Sequence, residues 1–512
     1  MANTKRIAKN TMMLYFRQIL IMFAGLYTVR VVLNALGSED YGIYNVVAGV
    51  VTMFSFLSGS MATASQRFFS FDLGTSDKEH LKISFSVTLQ IYFLIAGIII
   101  LILESVGLWF VNTKLVIPAE RLSAANCIFQ SAVVSFILTL ITTPYMASII
   151  AHENMNIYAY TSMIEALLKI GIAFLLKLLP FDKLSLYGVL LALIAFINTG
   201  IYRFYCITHY EECHFRFIKD PQLFKEIIEY SGWNLFGSLT SVFKNQFTNI
   251  LLNQFFGPVV NSAKAIASQV NNAVASFSQN FSMAVRPQII KTYASQQKTE
   301  CVNLVFYGCK ITFFLMYIFS LPLILEMDFV LKFWLKNPPE RAVIFTQIAL
   351  IDAVIGSMGY PIMTLAQATG KIKLYQSLVG GIQLFNLPIS YIALKTGFPA
   401  ISVMIVAVCI TFLAFIVRLF MVNYLADFPL LQFSKKVIFP ACLVSVCSAV
   451  IPIFIKIFII NRNAEFFAVV SSSVIITSIF ILFLGMKREE RMGLFLRLKE
   501  KRKHIFWKHY KN

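Results

Sequence analysis

Apolar residues fall in blocks of twenty or more along most of the chain, and short stretches rich in Gly, Pro and charge separate them. A helix rises ~1.5 Å per residue and a bilayer's hydrocarbon core is ~30 Å thick, so each block is long enough to cross a membrane. The pattern predicts about fourteen transmembrane helices. They lie near 11–36, 41–63, 83–109, 122–148, 155–179, 184–207, 227–256, 259–285, 302–326, 341–367, 371–396, 399–423, 434–458 and 465–486. The expected fold class is therefore an all-α polytopic membrane protein.

The eighth block departs from the rest. "AIASQVNNAVASFSQNFSMAVRP" (265–287) is long enough to span, yet it is full of amides and hydroxyls. At 100° per residue, Ile266, Val270, Ala273, Val274, Phe277, Phe281 and Val285 gather on one side. Asn271, Asn272, Gln279 and Asn280 join Lys264, Gln269 and several serines on the other. Unsatisfied amides are costly in hydrocarbon, so that face requires partners or water. Two readings follow: the side chains bind neighbouring helices as packing glue, or they line a water-filled cavity. The second span, with Asn45, Thr52, Ser55, Ser58, Ser60 and Thr63, is a milder version.

The chain repeats itself. "VVLNALG" (31–37) matches "ILLNQFFG" (250–257), and Arg67 matches Arg286. Pro144 pairs with Pro361, Met146 with Met363 and Tyr158 with Tyr375, all three at one common spacing. A nearly constant offset points to a duplication. The unit holds six spans, an even number, so the copies share one orientation and are related by a pseudo-twofold along the membrane normal. The expected organisation is a six-helix half over 1–210, a second over 211–425, two additional helices over 426–486 and a basic tail over 487–512. Two parallel six-helix repeats would then surround a central polar cavity. Pro144 and Pro361 fall at equivalent places near inner span ends, where matched bends suit a hinge, although bent helices also occur in static bundles.

Composition agrees with this reading. Of 512 residues, 58% are hydrophobic and 13% charged, with mean hydropathy +0.73. No soluble fold needs so much apolar surface. The basic start at Lys5, Arg6 and Lys9 runs into a retained first span without a small-residue cleavage site. A net charge of +19 could suggest nucleic acid, but its distribution does not: ten of the basic residues lie in the tail after Met486, and the loops on that side hold most of the others. The asymmetry places both termini in the cytoplasm and makes the tail a positive-inside, anionic-lipid feature.

Basic residues also fall within the spans. Lys177, Lys310 and Lys456 lie near span ends and can snorkel, and Lys169 follows Glu165 by four residues, a spacing that suits a neutralising pair. Arg17, Arg30, Lys244 and Lys264 have no such local partner. Intramembrane charge marks function by default, and a cationic lining suits an anionic substrate, with Arg able to hold phosphate through two bonds. Snorkelling or a distant partner would explain any one of them. Asp352 in "LIDAVIGSMGYP" could couple transport to an ion gradient, or pair with one of the lysines.

Enzyme chemistry finds little support. The GxxxxGK[ST] nucleotide motif is absent, and "ATGKIK" lacks its first glycine and its hydroxyl residue. All six histidines lie in predicted loops or the tail, outer loops are short, and "GSEDYG" (37–42) fits a tight turn. The eight cysteines form no CxxC pair. The cluster Cys206, His209, Cys213 and His214 is too unevenly spaced for a zinc module, so neither metal nor cofactor is expected.

"RVVLNALGSEDYGIYNVV" (30–47) and "ATGKIKLYQ" (368–376) resemble the bacterial polysaccharide-unit flippases of the multidrug/oligosaccharidyl-lipid/polysaccharide exporter superfamily. The resemblance implies a protein of the bacterial inner membrane that moves a polyprenyl-diphosphate-linked oligosaccharide between leaflets for O-antigen, capsule or exopolysaccharide assembly. It also implies membrane lipids, a coupling proton or sodium ion and a polysaccharide polymerase as partners. The rivals are a multidrug or cation exporter and a peptidoglycan-precursor flippase of the same superfamily; four unpaired cations argue against the first.

Overall fold

The computed structural model describes residues 2–115, 117–459, 461–486 and 491, and among them every regular element is helical. The long helices of the first half are α1 (Ala2–Thr52), α2 (Ser55–Thr75), α3 (Lys78–Ile102), α4 (Leu108–Thr113), α5 (Leu122–Ala151), α6 (Met155–Leu178) and α7 (Lys183–His209). There follow α8 (Pro221–Phe256), α9 (Pro258–Ala294), α10 (Lys298–Leu335), α11 (Ala342–Ser357), α12 (Gly359–Ala368), α13 (Ile372–Leu384), α14 (Asn386–Lys395) and α15 (Ile401–Ala426). The last are α16 (Leu430–Phe433), α17 (Phe439–Phe458) and α18 (Arg462–Phe480). Apart from Arg491, the basic tail over 487–512 lies outside the described residues.

Among the described residues, eleven helices are long and apolar enough to cross a membrane. The bent pair Asp40–Thr52 and Ser55–Thr75, which turns by 42°, would make twelve. The 36-residue α8 and 37-residue α9 are long enough but carry too much polar sequence for that measure. Fourteen spans thus remain the expectation from the sequence pattern.

Two glycines show why the matched motifs exist. Gly37 (φ 83°) separates the first apolar stretch of α1 from the second, and Gly257 (φ 78°) divides α8 from α9. Both lie in the left-handed region that glycine enters without a Cβ penalty. Both glycines of the matched motifs therefore take a left-handed φ where the helix is interrupted.

The chain divides into two compact units. The first comprises Met1–Phe243, Asn280–Leu304 and Thr364–Gly381, and the second Lys244–Gln279, Val305–Met363 and Ile382–Asn512. The boundary cuts through α8, α9, α10, α12 and α13. In the second unit, Val274, Leu252, Met316, Met327, Phe345 and Leu350 form one buried apolar cluster. Helices α17 and α18 pack on each other, and an ion cluster ties them to α10. Glu326, fully buried where α10 breaks (φ −113°), lies 3.3 Å from Lys456 Nζ and 3.4 Å from Arg462 Nη1. Arg462 also reaches Asp328 at 3.5 Å and Glu465 at 2.9 Å. Lys456, near a span end and expected to snorkel, is instead held by a carboxylate. Lys310 is buried too, with Nζ 3.5 Å from the Gly485 carbonyl.

In the first unit, α5 packs against α2, α3 and α7, with Phe69, Phe85, Ile128, Phe129 and Tyr145 at the centre of its core. Arg121 bridges Asp40, from the turn after Gly37, to Asp182, the N-cap of α7, at 2.7 Å for the latter. That explains the acidic turn as structural. A second carboxylate, Glu153, sits between α5 and α6 with positive φ (61°) and is 5% exposed. Lys291 Nζ donates to it at 2.9 Å, Gln288 Nε2 at 3.0 Å, and Arg6 Nε lies 3.2 Å away. Asn10 Nδ2 donates to the Glu153 carbonyl at 2.9 Å. One buried side chain thus fastens the start of α1, the α5–α6 turn and the end of α9. Leu14, Ile150, Met155 and Ala284 pack together beside these contacts.

Burial pushes the Glu153 pKa up, but Lys291, Gln288 and Arg6 together outweigh it and hold the carboxyl below the usual glutamate range. A depressed folded-state pKa adds stability above the unfolded pKa, and that contribution is lost as pH falls through the folded value. Glu153→Gln should therefore lower the Tm of the detergent-solubilised protein at pH 7. The gap from wild type should close as the medium is acidified below ~4.3, the ordinary glutamate value. Breaking a buried pair from one side costs ~3–5 kcal/mol, so the drop should be several degrees or more. Equal Tm values at pH 7 would show that Glu153 fastens nothing.

Candidate transport site

The first unit contains a cavity of about 380 Å³. Thr52, Ser55 and Ser58 reach it from α1 and α2, Ser135 and Thr139 from α5, Glu165 and Lys169 from α6, and Asn198 from α7. Its volume lies within the range of ordinary small-molecule sites, and its walls are apolar with a few convergent polar groups. Gly188 sets one wall, because a Cβ there would lie 2.8 Å from Ile128 Cδ1, and this closeness lets α7 lie against α5.

The polar groups are ordered. Lys169 Nζ donates to Glu165 Oε1 at 2.7 Å, the pair expected from their four-residue spacing. Asn198 Nδ2 donates to the other carboxylate oxygen at 3.2 Å. Ser135 and Thr139 donate their hydroxyl protons one turn back, to Ser131 and Ser135 carbonyls at 2.7 and 2.8 Å. Their lone pairs therefore remain to accept from whatever enters. The cavity offers an acceptor-rich α5 wall opposite a zwitterionic α6–α7 wall, a combination suited to hydroxyl-bearing or charged ligands.

Sequence reading saw the Glu165–Lys169 pair but assigned it only neutralisation, and it missed Asn198, Ser135 and Thr139. The available signal was polar side chains one helical turn apart within apolar spans. Thr52, Ser55 and Ser58, polar positions of the second span, line this cavity within the first unit.

The four cations singled out from sequence are divided. In the first unit, the Arg17 guanidinium stands 4.6 Å from the Tyr158 ring centroid, and its Nε is buried without a hydrogen-bond partner. Arg30 is exposed. Neither lines the 380 Å³ cavity. In the second unit, Lys264 is buried and its Nζ donates to the Asn245 carbonyl at 3.1 Å. Lys244 is its electrostatic neighbour and also acts on Asp352, to which Thr411 hydrogen-bonds. The structure therefore gathers Lys244, Lys264 and Asp352 in one unit, with a lysine close enough to Asp352 for attraction.

The polar helix α9 behaves in two ways. Ser268, Gln269, Asn272 and Gln279 are exposed, while Val274 is buried and Ile266 and Val270 pack on the second unit's core. Yet Ser278 and Asn280, which fall on the polar side of the wheel, are buried; Ser278 Oγ donates to the Thr312 carbonyl at 3.2 Å. Asn271 is half-buried with Oδ1 unpartnered, and Gln279 Nε2 lies 3.4 Å from the Tyr360 hydroxyl. Packing glue and exposed amide face thus coexist on one helix. Pro144 lies inside the continuous α5, whereas Pro361 falls in the first turn of α12, just after the break at Met358. The eight cysteines are free, Cys206 and Cys213 are buried, and no metal-ligating group of three occurs among the described residues.

Residues 7–296 match the profile described as "Polysaccharide biosynthesis protein". This protein belongs to that family. No curated protein matches the chain in sequence. Among solved structures it is similar to an outward-facing multidrug resistance MATE transporter of the MOP superfamily, with TM-score 0.72 and 13% identity over 83% of this chain and 96% of the other. It is also similar to a mutant of the Vibrio cholerae MATE transporter VcmN, with TM-score 0.63 and 15% identity over 81% and 95%. A MOP superfamily transporter from Pyrococcus furiosus, described as having a binding pocket of reverse polarity, gives 0.63 and 14% over 82% and 96%. The family member thus has the MATE fold, consistent with its resemblance to polysaccharide-unit flippases.

If the unit-one cavity is reached by water, single cysteines at Ser135 or Thr139 in a cysteine-free background should react with a membrane-impermeant thiol reagent in cells or inverted vesicles. A cysteine at Phe196, exposed on α7 but absent from the cavity, serves as the lipid-side control. Equal, negligible labelling of all three positions in both preparations would mean the cavity is sealed.

Proposed function

We propose that this protein is a flippase that carries a polyprenyl-diphosphate-linked oligosaccharide from the inner to the outer leaflet of the bacterial inner membrane. It works by alternating access between two six-helix repeats, with both termini cytoplasmic and Pro144 and Pro361 as hinges. The observation that carries this reading is a set of cations, Arg17, Arg30 and Lys264, that no acid neutralises, with Lys244 held only by the coupling candidate Asp352, inside a member of the polysaccharide biosynthesis family. No salt bridge to Arg17, Arg30, Lys244 or Lys264 occurs among the described residues. Unmatched positive charge in a low-dielectric setting is costly and favours an anionic cargo. A lipid-linked diphosphate supplies that anion.

The exposed amides Asn272 and Gln279 of α9, with Asn271 and Asn280 nearby, suit sugar hydroxyls, which need donors and acceptors in equal measure. The unit-one cavity, with its hydroxyl and amide lining, offers the same chemistry. Asp352 is the coupling carboxylate: protonation or sodium binding there would release Lys244 and link cargo affinity to the gradient. A multidrug exporter, the role named for one MATE neighbour, would call for uncompensated acids in the cavity if its cargo were cationic. Here Glu165 is neutralised by Lys169.

Purified protein in proteoliposomes should transfer a fluorescent polyprenyl-diphosphate oligosaccharide between leaflets, faster under an imposed proton or sodium gradient. Arg30→Ala and Lys264→Ala should each slow transfer about tenfold, the cost of one charge-assisted bond. Transport of a cationic dye without sugar-lipid transfer would replace the flippase with a drug exporter.

A further inference from the structure

Arg67 and Arg286 are counterparts in the internal repeat, and the first unit brings them together. Arg67 lies on α2, and its side chain is 8% exposed. Its guanidinium is surrounded by the rings of Phe68, Phe71 and Tyr230, at 4.7, 4.9 and 5.4 Å to the centroids. Arg286 holds the matching place on α9, and its Nη1 donates to Gln66 Oε1, beside Arg67, at 3.4 Å. Both guanidinium groups are electrostatic neighbours of Tyr230.

Burial removes much of the water that would otherwise solvate these two guanidinium charges. One carboxylate approaches: Glu226 Oε1 is 3.9 Å from Arg67 Nη1, and that side chain is 59% exposed. An exposed pair at that separation contributes little. The Nε atoms of both arginines are buried with no hydrogen-bond partner. Gly370 (φ 76°) packs close against Arg67, since a Cβ there would lie 2.7 Å from Nη2. Half-buried Arg286 and exposed Glu226 leave an approach from the surface of the unit.

We infer that Arg67 and Arg286 form a phosphate-binding site of the first unit, in which an incoming phosphate or diphosphate displaces Glu226. Planar guanidiniums present paired N–H groups that match phosphate oxygens, and the aromatic rings hold the Arg67 plane in place between ligands. The site shares no residue with the lining of the unit-one cavity or with the four cations singled out from sequence. Following the sidedness read from charge, it lies at the cytoplasmic ends of its helices, where a lipid-linked diphosphate would be met first. That last step rests on the flippase reading; the anion site itself does not.

The test measures binding of inorganic pyrophosphate to the full-length protein in detergent, by calorimetry and by the ligand-induced shift in Tm. Wild type should bind, Arg67→Gln and Arg286→Gln should each weaken binding about tenfold, and lysine at either position should restore part of it. Glu226→Gln should tighten binding several-fold, because the competing carboxylate is gone; a merely structural pair would not respond in that direction. Absence of pyrophosphate binding by wild type, or unchanged affinity in folded arginine variants, overturns the site. Should those variants fail to fold, Glu226→Gln decides it: unchanged or weaker binding overturns the proposal. Competition by farnesyl diphosphate but not by phosphatidylglycerol in nanodiscs assigns the phosphate to a lipid-linked substrate, and the converse assigns it to a membrane lipid. Pyrophosphate binding with the expected pattern, but no sugar-lipid transfer in proteoliposomes, keeps the site and removes the flippase.

Discussion

A polar group inside hydrocarbon must find a partner or water, and this requirement orders the structure more than any single apolar contact does. Apolar side chains gain little from packing on each other when lipid is the alternative. Position in such a protein is therefore set by where the carboxylates, amides and cations find their matches. Glu153 joins three segments of the first unit, Glu326 joins three helices of the second, and Glu165 meets both Lys169 and Asn198. Each is an acid near several donors. The exceptions are arginines and lysines, and those carry the functional argument.

The long apolar periodicities were easily read, because a hydrophobic block in a membrane protein has one dominant interpretation. Turns marked by Gly37 and Gly257 were legible through the repeat, and the Lys169–Glu165 pair through its helical spacing. Contacts made across the chain were not. Nothing near Lys456 announces that its partner is Glu326, on a helix several spans earlier, so a snorkelling end was the natural reading. The unit-one cavity draws its polar lining from Thr52 to Asn198, one or two side chains per helix, and no single segment looks unusual. Helix α9 looked uniformly two-faced on a wheel, yet the structure buries Ser278 and Asn280 while exposing Gln269 and Asn272. A wheel reports angle, whereas burial depends on which neighbours reach each depth.

The same limitation explains why Arg67 and Arg286 appeared in the sequence only as markers of a duplication. A duplicated helix carries the same residue twice, and a pseudo-twofold axis brings such copies close wherever they lie near it. Such copies would meet as like charges unless one diverged, and both matched positions here hold arginine.

The Glu326 cluster bears on how the chain is made. Glu326 leaves the ribosome well before Lys456 and Arg462, with α11 to α16 translated in between. At ~5–20 residues per second, synthesis leaves that carboxyl without its cations for roughly ten seconds. During that interval α10 must be held by the insertion machinery or keep the acid near the interface. The hairpin of α17 and α18 then delivers both cations to an acid that has been waiting. A ribosome that stops short of Lys456 therefore releases a chain whose tenth helix is not yet anchored.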